Sequence, residues 1–280
     1  MKRNGSRASG AARFLLLSFT AFGLFGSGSA WLAFYPPVPR DLGGAPDLDS
    51  TARPVRIPVG RDSLDGWYLK GREPAVVIVF HGYGRDHTRA WRYAQFLNGA
   101  GYGVLAVDFR SSRARDRFPT TLGHHELADA EATLAWLSSR PATRGARIAV
   151  LGESLGASVG LVLAARHPEI AAVVADCPFE SGRRAVEDSI ERWARMPRAL
   201  AGLACWTGHA LTGCDPCALD VIAAAESLRT RPLLFVHAAR DDRFSTEQAR
   251  DLWRAAGAKD ELWLLDGGHN EGWQLHREEY

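Results

Sequence analysis

The 280-residue chain carries a formal net charge of +2, with 46% hydrophobic and 24% charged residues. That balance excludes a disordered chain, and arginines scattered among Asp and Glu exclude the clustered basic footprint of a nucleic-acid binder. Four cysteines, three of them between positions 205 and 217, exclude a disulfide-dense mini-protein.

In chain order, Lys2, Arg3, Arg7 and Arg13 precede an uncharged, mostly apolar run over 14–35. Its length, about 22 residues, matches a bilayer core of about 30 Å as a helix. The basic flank orients the N-terminus to the cytoplasm and the remainder outside. Residues 1–39 therefore read as a signal-anchor. A cleaved signal peptide, with its small-residue site at Gly28-Ser29-Ala30, is the alternative, leaving a secreted or periplasmic body. Trp31 and Tyr35 suit the outer interface, and Pro36, Pro37 and Pro39 end the helix. Residues 40–52, rich in Gly, Pro and Asp, read as a linker to a single domain over 53–280.

Within that domain, short β-branched runs alternate with amphipathic stretches. Strands are expected over 76–80, 104–107, 148–151, 171–175, 233–236 and 262–265, and helices over 91–100, 126–137 and 155–166. This alternation predicts an α/β fold, a mostly parallel sheet with helices on both faces. An antiparallel pair, 55–59 with 66–69, stands in front. The interval 179–228 breaks the rhythm with helical material over 185–193, 200–206 and 219–228. It reads either as a lid or pocket wall above the strand ends or as covering helices. Trp193, Leu200, Leu203 and Trp206 are candidates for an apolar acyl pocket or for core.

The chemistry is concentrated at strand ends. Gly152-Glu153-Ser154-Leu155-Gly156 joins a strand to a helix. In that context GxSxG presents a nucleophilic serine on a strained turn whose small neighbours let strand and helix approach. The turn also sets the Leu155 amide at a helix N-terminus, where an anion is favoured. A serine hydroxyl needs a base. His269, in Gly267-Gly268-His269-Asn270 after the last strand, has that position. His81, His124, His125, His167 and His237 read as structural or surface residues. The acid that holds the base is Asp241, after strand 233–236, with Asp176 and Asp242 as competitors. His81-Gly82-Tyr83-Gly84 follows strand 76–80, and its glycines let the Tyr83 amide face the site beside that of Leu155 as an oxyanion hole.

Cys214-Asp-Pro-Cys217 has the spacing of a redox pair or half a zinc site. No second pair accompanies it, so a structural disulfide among Cys205, Cys214 and Cys217 is the better reading in an exported domain. No metal or cofactor is expected.

The chain from Val55 to Trp273 resembles the α/β hydrolases, and within them the membrane-anchored Bem46-type serine hydrolases. The resemblance is carried by the apolar N-terminal segment, HGYG (81–84), GESLG (152–156), VHAARDDRFS (236–245) and GGHNEGW (267–273). It aligns His237, Ala238, Asp241, Phe244 and Ser245 with an HGxxDxxVP motif, a register that selects Asp241 over Asp242. Ala238 and Phe244-Ser245 depart from that motif. Asp108-Phe109-Arg110-Ser111-Ser112 lacks the glycine usual after its DxR. The resemblance implies hydrolysis of a small-molecule or lipid ester, or a thioester, through an acyl-enzyme. A peptidase on the same triad and a non-catalytic scaffold are the alternatives.

Overall fold

A computed structural model describes residues 33–36, 52–112, 118–259 and 261–280. The apolar segment over 14–32 and nearly all of the expected linker over 40–52 lie outside the described residues. No helix among the described residues is long and apolar enough to cross a membrane.

The elements run β1 (Arg53–Val59), β2 (Asp62–Leu69), β3 (Ala75–Phe80), α1 (His87–Gly99), β4 (Gly103–Val107), α2 (His124–Ser138), β5 (Arg147–Glu153) and α3 (Leu155–Arg166). They continue with β6 (Ile170–Asp176), α4 (Gly182–Arg192), α5 (Ala201–Thr212), α6 (Val221–Ser227), β7 (Leu233–Ala238), α7 (Thr246–Ala255), β8 (Glu261–Leu265) and α8 (Gly272–Leu275). The strands form one sheet in the order β1-β2-β4-β3-β5-β6-β7-β8. β1 and β2 are antiparallel, β2 meets β4 antiparallel, and β4 through β8 are parallel. The expected α/β architecture, with its antiparallel pair in front, is therefore observed.

Side-chain alternation along each strand feeds two cores. Val76, Ile78 and Phe80 of β3 face one layer with Leu105, Leu134, Val159 and Leu252, closed by α2, α3, α6 and α7. Val77 and Val79 face the other, with Trp91, Tyr93 and Ala94 of α1. Ridges buried on both faces explain why the parallel strands read as continuous apolar runs.

Caps shift several helix starts from the expected positions. The Asp86 carboxylate accepts from Thr88 N (3.0 Å), so α1 begins four residues before the apolar periodicity does. The Asp220 carboxylate accepts from Ala223 N (2.9 Å) and starts α6 at Val221, not at 219. α5 extends to Thr212 and ends on Gly213 at φ 75°.

The interval 179–228 holds α4, α5 and α6, but its parts do different jobs. α6 packs on α3 as an ordinary covering helix, with Val221, Ala224 and Ala225 buried. α4 and α5 meet each other across Val186, Ala201 and Cys205. Trp193 (64% exposed), Leu203 (56%) and Trp206 (68%) point to the outside. These three stand outside the core, which corrects their reading as core, while Leu200 is half-buried. A disulfide joins Cys205 to Cys217 and ties α5 to the following loop, leaving Cys214 and Cys177 free and buried. Residues 33–36 pack on this side of the domain. Phe34 is buried, lies against Gly208 of α5, and its carbonyl accepts from Thr120 N (2.8 Å). Phe34 thus packs on the domain surface.

Two glycines are required where β5 turns into α3. A Cβ at Gly152 would lie 2.2 Å from the Gly156 carbonyl oxygen, and one at Gly156 would lie 2.5 Å from the Phe80 carbonyl oxygen. Both obstacles are backbone and cannot swing away. Gly156→Ala is expected to cost about 3 kcal/mol or more. A urea denaturation curve checks it, and a midpoint equal to the parent's would show that the turn has slack.

Candidate active site

The parallel strands deliver all of the candidate residues to one edge of the sheet, at their C-terminal ends, where open α/β sheets form clefts. Ser154 follows β5 at φ 53° and ψ −114°, outside the regions open to most side chains. The turn is held by Ser154 N donating to the Asp176 carbonyl (2.7 Å) and by Ala157 and Ser158 N–H groups closing onto the Ser154 carbonyl. Over-determined strain of this kind marks a functional turn.

Ser154 Oγ lies 3.0 Å from His269 Nε2, and His269 Nδ1 lies 2.6 Å from Asp241 Oδ2. The other Asp241 oxygen accepts from Arg243 N (2.7 Å) and Phe244 N (2.9 Å). Asp241 is acceptor-only in this setting, so Nδ1 of His269 carries the proton and Nε2 faces the serine with a lone pair. Burial alone pushes the Asp241 carboxyl up. The His269 hydrogen bond and charge, together with the Phe244 amide, overcome it and hold the group below its ordinary value. The Phe244 ring stands edge-on to the imidazole at 5.4 Å and restricts its rotation.

The two competitors for Asp241 lie elsewhere. Asp242 is exposed. Asp176 is buried at the end of β6 and accepts from the Tyr93 and Tyr280 hydroxyls, both at 2.9 Å. Burial, then the nearby Glu153 carboxylate, push its pKa up.

The loop over 81–84 is fixed by His81. Its Nδ1–H donates to the Gly82 carbonyl (2.8 Å), and its Nε2 accepts from Phe109 N (3.1 Å) and from the Ser112 hydroxyl (2.9 Å). Gly82 stands with its Cα against the nucleophile, a Cβ there lying 3.3 Å from Ser154 Cβ. The Tyr83 and Leu155 N–H groups find no acceptor among the described residues. The Tyr83 hydroxyl donates to the Ala33 carbonyl (2.7 Å), and burial, opposed by Arg243, raises its pKa to about 12.

Sequence reasoning missed the polar network beneath the serine. Glu153, the variable residue of GxSxG, is buried and bonded to Arg92, to Asn270 Nδ2 (3.1 Å) and to Arg89 Nε (3.5 Å). Asn270, at φ 59°, thereby ties the His269 loop to the nucleophile turn. A charged residue inside an apolar strand-turn motif, followed by Asn beside the candidate base, was the available signal. His237 also lies below the triad. Its Nε2 donates to the Phe244 carbonyl (3.2 Å) and stands 3.6 Å from Asp241.

Burial, against the pull of Asp241 and the Phe244 carbonyl, lowers the His237 pKa and keeps the ring neutral. The unfolded chain therefore binds a proton more readily once pH falls through about 6.5, and stability is lost below that value. His237→Gln, which keeps a donor but does not titrate, is expected to flatten this loss. Urea midpoints at pH 7.5 and 5.5 measure it, and an equally steep fall in the variant contradicts it.

Cys177 Sγ lies within 4.8 Å of the donor atoms of Asp241 and His269. Burial and the carboxylates of Asp176 and Asp241 push its thiol well above the ordinary range, and both ring nitrogens of His269 are already engaged. The trio suits packing better than metal binding.

The cleft beside Ser154 is lined by Gly82, Tyr83, Arg85, Arg89, Glu153, Ser154, Arg243, His269 and Asn270. None of these lining residues comes from the helical interval 179–228. Trp193 instead supports the guanidinium of Arg243, stacked at 4.8 Å.

Residues 70–207 match the family model described as X-Pro dipeptidyl-peptidase (S15 family). The solved Pyrococcus furiosus esterase Pf2001 superposes with a TM-score of 0.67 at 26% identity, over 81% of this chain and 87% of that one. The fold is thus the α/β-hydrolase fold, shared with this esterase. The uncharacterized protein Rv2307c of Mycobacterium tuberculosis is 36% identical over 137 residues, 45% of this chain and 48% of the relative, so the chain matches about half the length of that relative. The uncharacterized protein YqkD of Bacillus subtilis is 25% identical over 80% of this chain and 73% of its own length.

Proposed function

We propose that the protein is a serine hydrolase that cleaves carboxylic esters or thioesters through an acyl-enzyme. The observation that carries this reading is the continuous path from Ser154 Oγ through His269 to Asp241, beside a cleft lined by Gly82, Tyr83 and Ser154. Ser154 attacks the acyl carbon while His269 Nε2 takes its proton. The imidazolium that forms is stabilised by Asp241. The oxyanion is met by the Tyr83 and Leu155 N–H groups, each typically contributing about 10²–10³ in rate. His269 returns the proton to the leaving group, and water activated by the same nitrogen releases the acid.

The family match raises peptide hydrolysis as the rival. An exopeptidase that reads a free amino terminus needs a carboxylate to meet the ammonium. Here, among the described residues that line the cleft, the carboxylate is Glu153, bound by Arg92 and Asn270, and the other charged residues are arginines. That electrostatic character supports ester cleavage. Turnover of p-nitrophenyl butyrate against a glycyl-prolyl p-nitroanilide tests the choice. Ester turnover without anilide turnover is expected, and the reverse overturns it.

The kinship with Bem46-type hydrolases and the membrane location form part of the same proposal. Residues 1–39 serve as a signal-anchor with the domain over 53–280 outside the cytoplasm. Residue 33 stands beside Tyr83, so attachment through 14–32 holds the cleft near the bilayer. Retention in the membrane pellet after carbonate extraction supports this, and release into the supernatant contradicts it.

A further inference from the structure

The cleft is small, polar and unequal in charge. Among the described residues that line it, three are arginines, Arg85, Arg89 and Arg243, against one carboxylate, Glu153. Glu153 does not balance them, because it is buried and already bonded to Arg92, a fourth cation lying behind the wall. Arg89 reaches Glu153 only at 3.5 Å and is partly exposed. Arg85 and Arg243 form no ion pair with a described residue. The carboxylates closest to them in sequence are occupied or exposed. Asp86 is spent on capping α1 through Thr88, and Asp242 is exposed.

Their placement is tied to the catalytic loops. Arg85 lies two residues beyond Tyr83, in the loop that follows β3. Arg243 lies two residues beyond Asp241, and its own backbone N–H is one of the donors that fix that carboxylate. Its guanidinium rests on the exposed Trp193 ring, which holds a long side chain in place without neutralising it. Its charge also reaches the Tyr83 hydroxyl. A ligand in the cleft therefore meets Ser154 together with forked guanidinium donors. Guanidinium forks suit carboxylate and phosphate oxygens geometrically as well as by charge.

We propose that the substrate carries an anionic group, a carboxylate or a phosphate, close to its scissile acyl bond, and that Arg85, Arg89 and Arg243 bind it. The inference rests on the serine-hydrolase reading and names its substrate class. It also gives a use to the polar lining, where an acyl chain would gain nothing from burial.

The test compares kcat/KM for matched neutral and anionic esters on the full chain at low salt. Mono-p-nitrophenyl glutarate against its ω-methyl ester places the charge on the acyl side. 4-Acetoxybenzoate against its methyl ester places a carboxylate on the alcohol side, and 4-acetoxyphenyl phosphate replaces that carboxylate by phosphate. At least one anionic ester is expected to exceed its neutral partner by about tenfold, the size of a charge-assisted contact. The advantage should shrink in 0.5 M NaCl, because the arginines are partly exposed. Arg85→Gln and Arg243→Gln keep a donor and the backbone bonds, and each should lower the anionic-to-neutral ratio about fivefold or more. Turnover of the neutral esters with no anionic advantage in any pair, or a ratio that neither substitution moves, overturns the inference and leaves the hydrolase intact. Absence of turnover on every ester, with no fluorophosphonate adduct on Ser154, overturns the reading beneath it.

Discussion

Ser154→Ala is expected to lower kcat for p-nitrophenyl butyrate by about 10⁶-fold, down to the rate left by cleft binding and the oxyanion donors alone. The loss is that large because the residues act as one unit. Without Oγ, His269 has no proton to take, and the Asp241–His269 pair orients nothing. Ser154 is also a conformational element, held at φ 53° by backbone bonds from both sides. Alanine keeps the Cβ and those bonds, so the circular dichroism spectrum and urea midpoint should stay close to the parent's. A drop in rate with an intact fold therefore reports chemistry.

The second large effect separates the two buried aspartates. In Asp241→Asn the single remaining carbonyl oxygen must stay with its two backbone donors, Arg243 N and Phe244 N. The new NH₂ then faces His269 Nδ1 as a donor. The imidazole answers by moving its proton to Nε2, which points at Ser154 and can no longer accept. A wrong tautomer of this kind costs about 10⁴ in kcat with little change in geometry. Asp176→Asn should cost less than about tenfold. Its oxygen can still accept from Tyr93 and Tyr280, and burial already favours the neutral form. Measuring kcat for both variants decides between them. A larger loss at Asp176 would move the acid to β6.

These contrasts show where the sequence was informative. The strand runs were legible because both faces of the parallel sheet are buried, so apolar residues needed no alternation to be recognised. The serine turn was legible because only glycine fits at positions 152 and 156. Helix starts were less so, since Asp86 and Asp220 set them through side-chain caps, and hydrophobic periodicity carries no record of a cap. The Glu153–Arg92–Asn270 network was hidden for a different reason. Its members come from α1, β5 and the loop after β8, and only the fold makes them neighbours. The interval 179–228 misled most. Trp193, Leu203 and Trp206 are as apolar as core residues, yet the disulfide and the α4–α5 contact turn them outward. Composition alone cannot assign a tryptophan to a pocket, a core or a surface.

The charge of the cleft lay in the same blind spot. Arg85 and Arg243 are far apart in sequence and stand among many scattered arginines. Their significance comes from facing one serine together, with Glu153 withdrawn to hold Asn270.

The central claim is that Ser154 is a nucleophile activated in place by His269. Incubation with a fluorophosphonate, followed by intact-mass measurement and peptide mapping, tests it without any assumption about the natural substrate. The account predicts one adduct per chain, located on Ser154, and lost in both Ser154→Ala and His269→Ala. An unmodified parent protein, or an adduct on another residue, would contradict it.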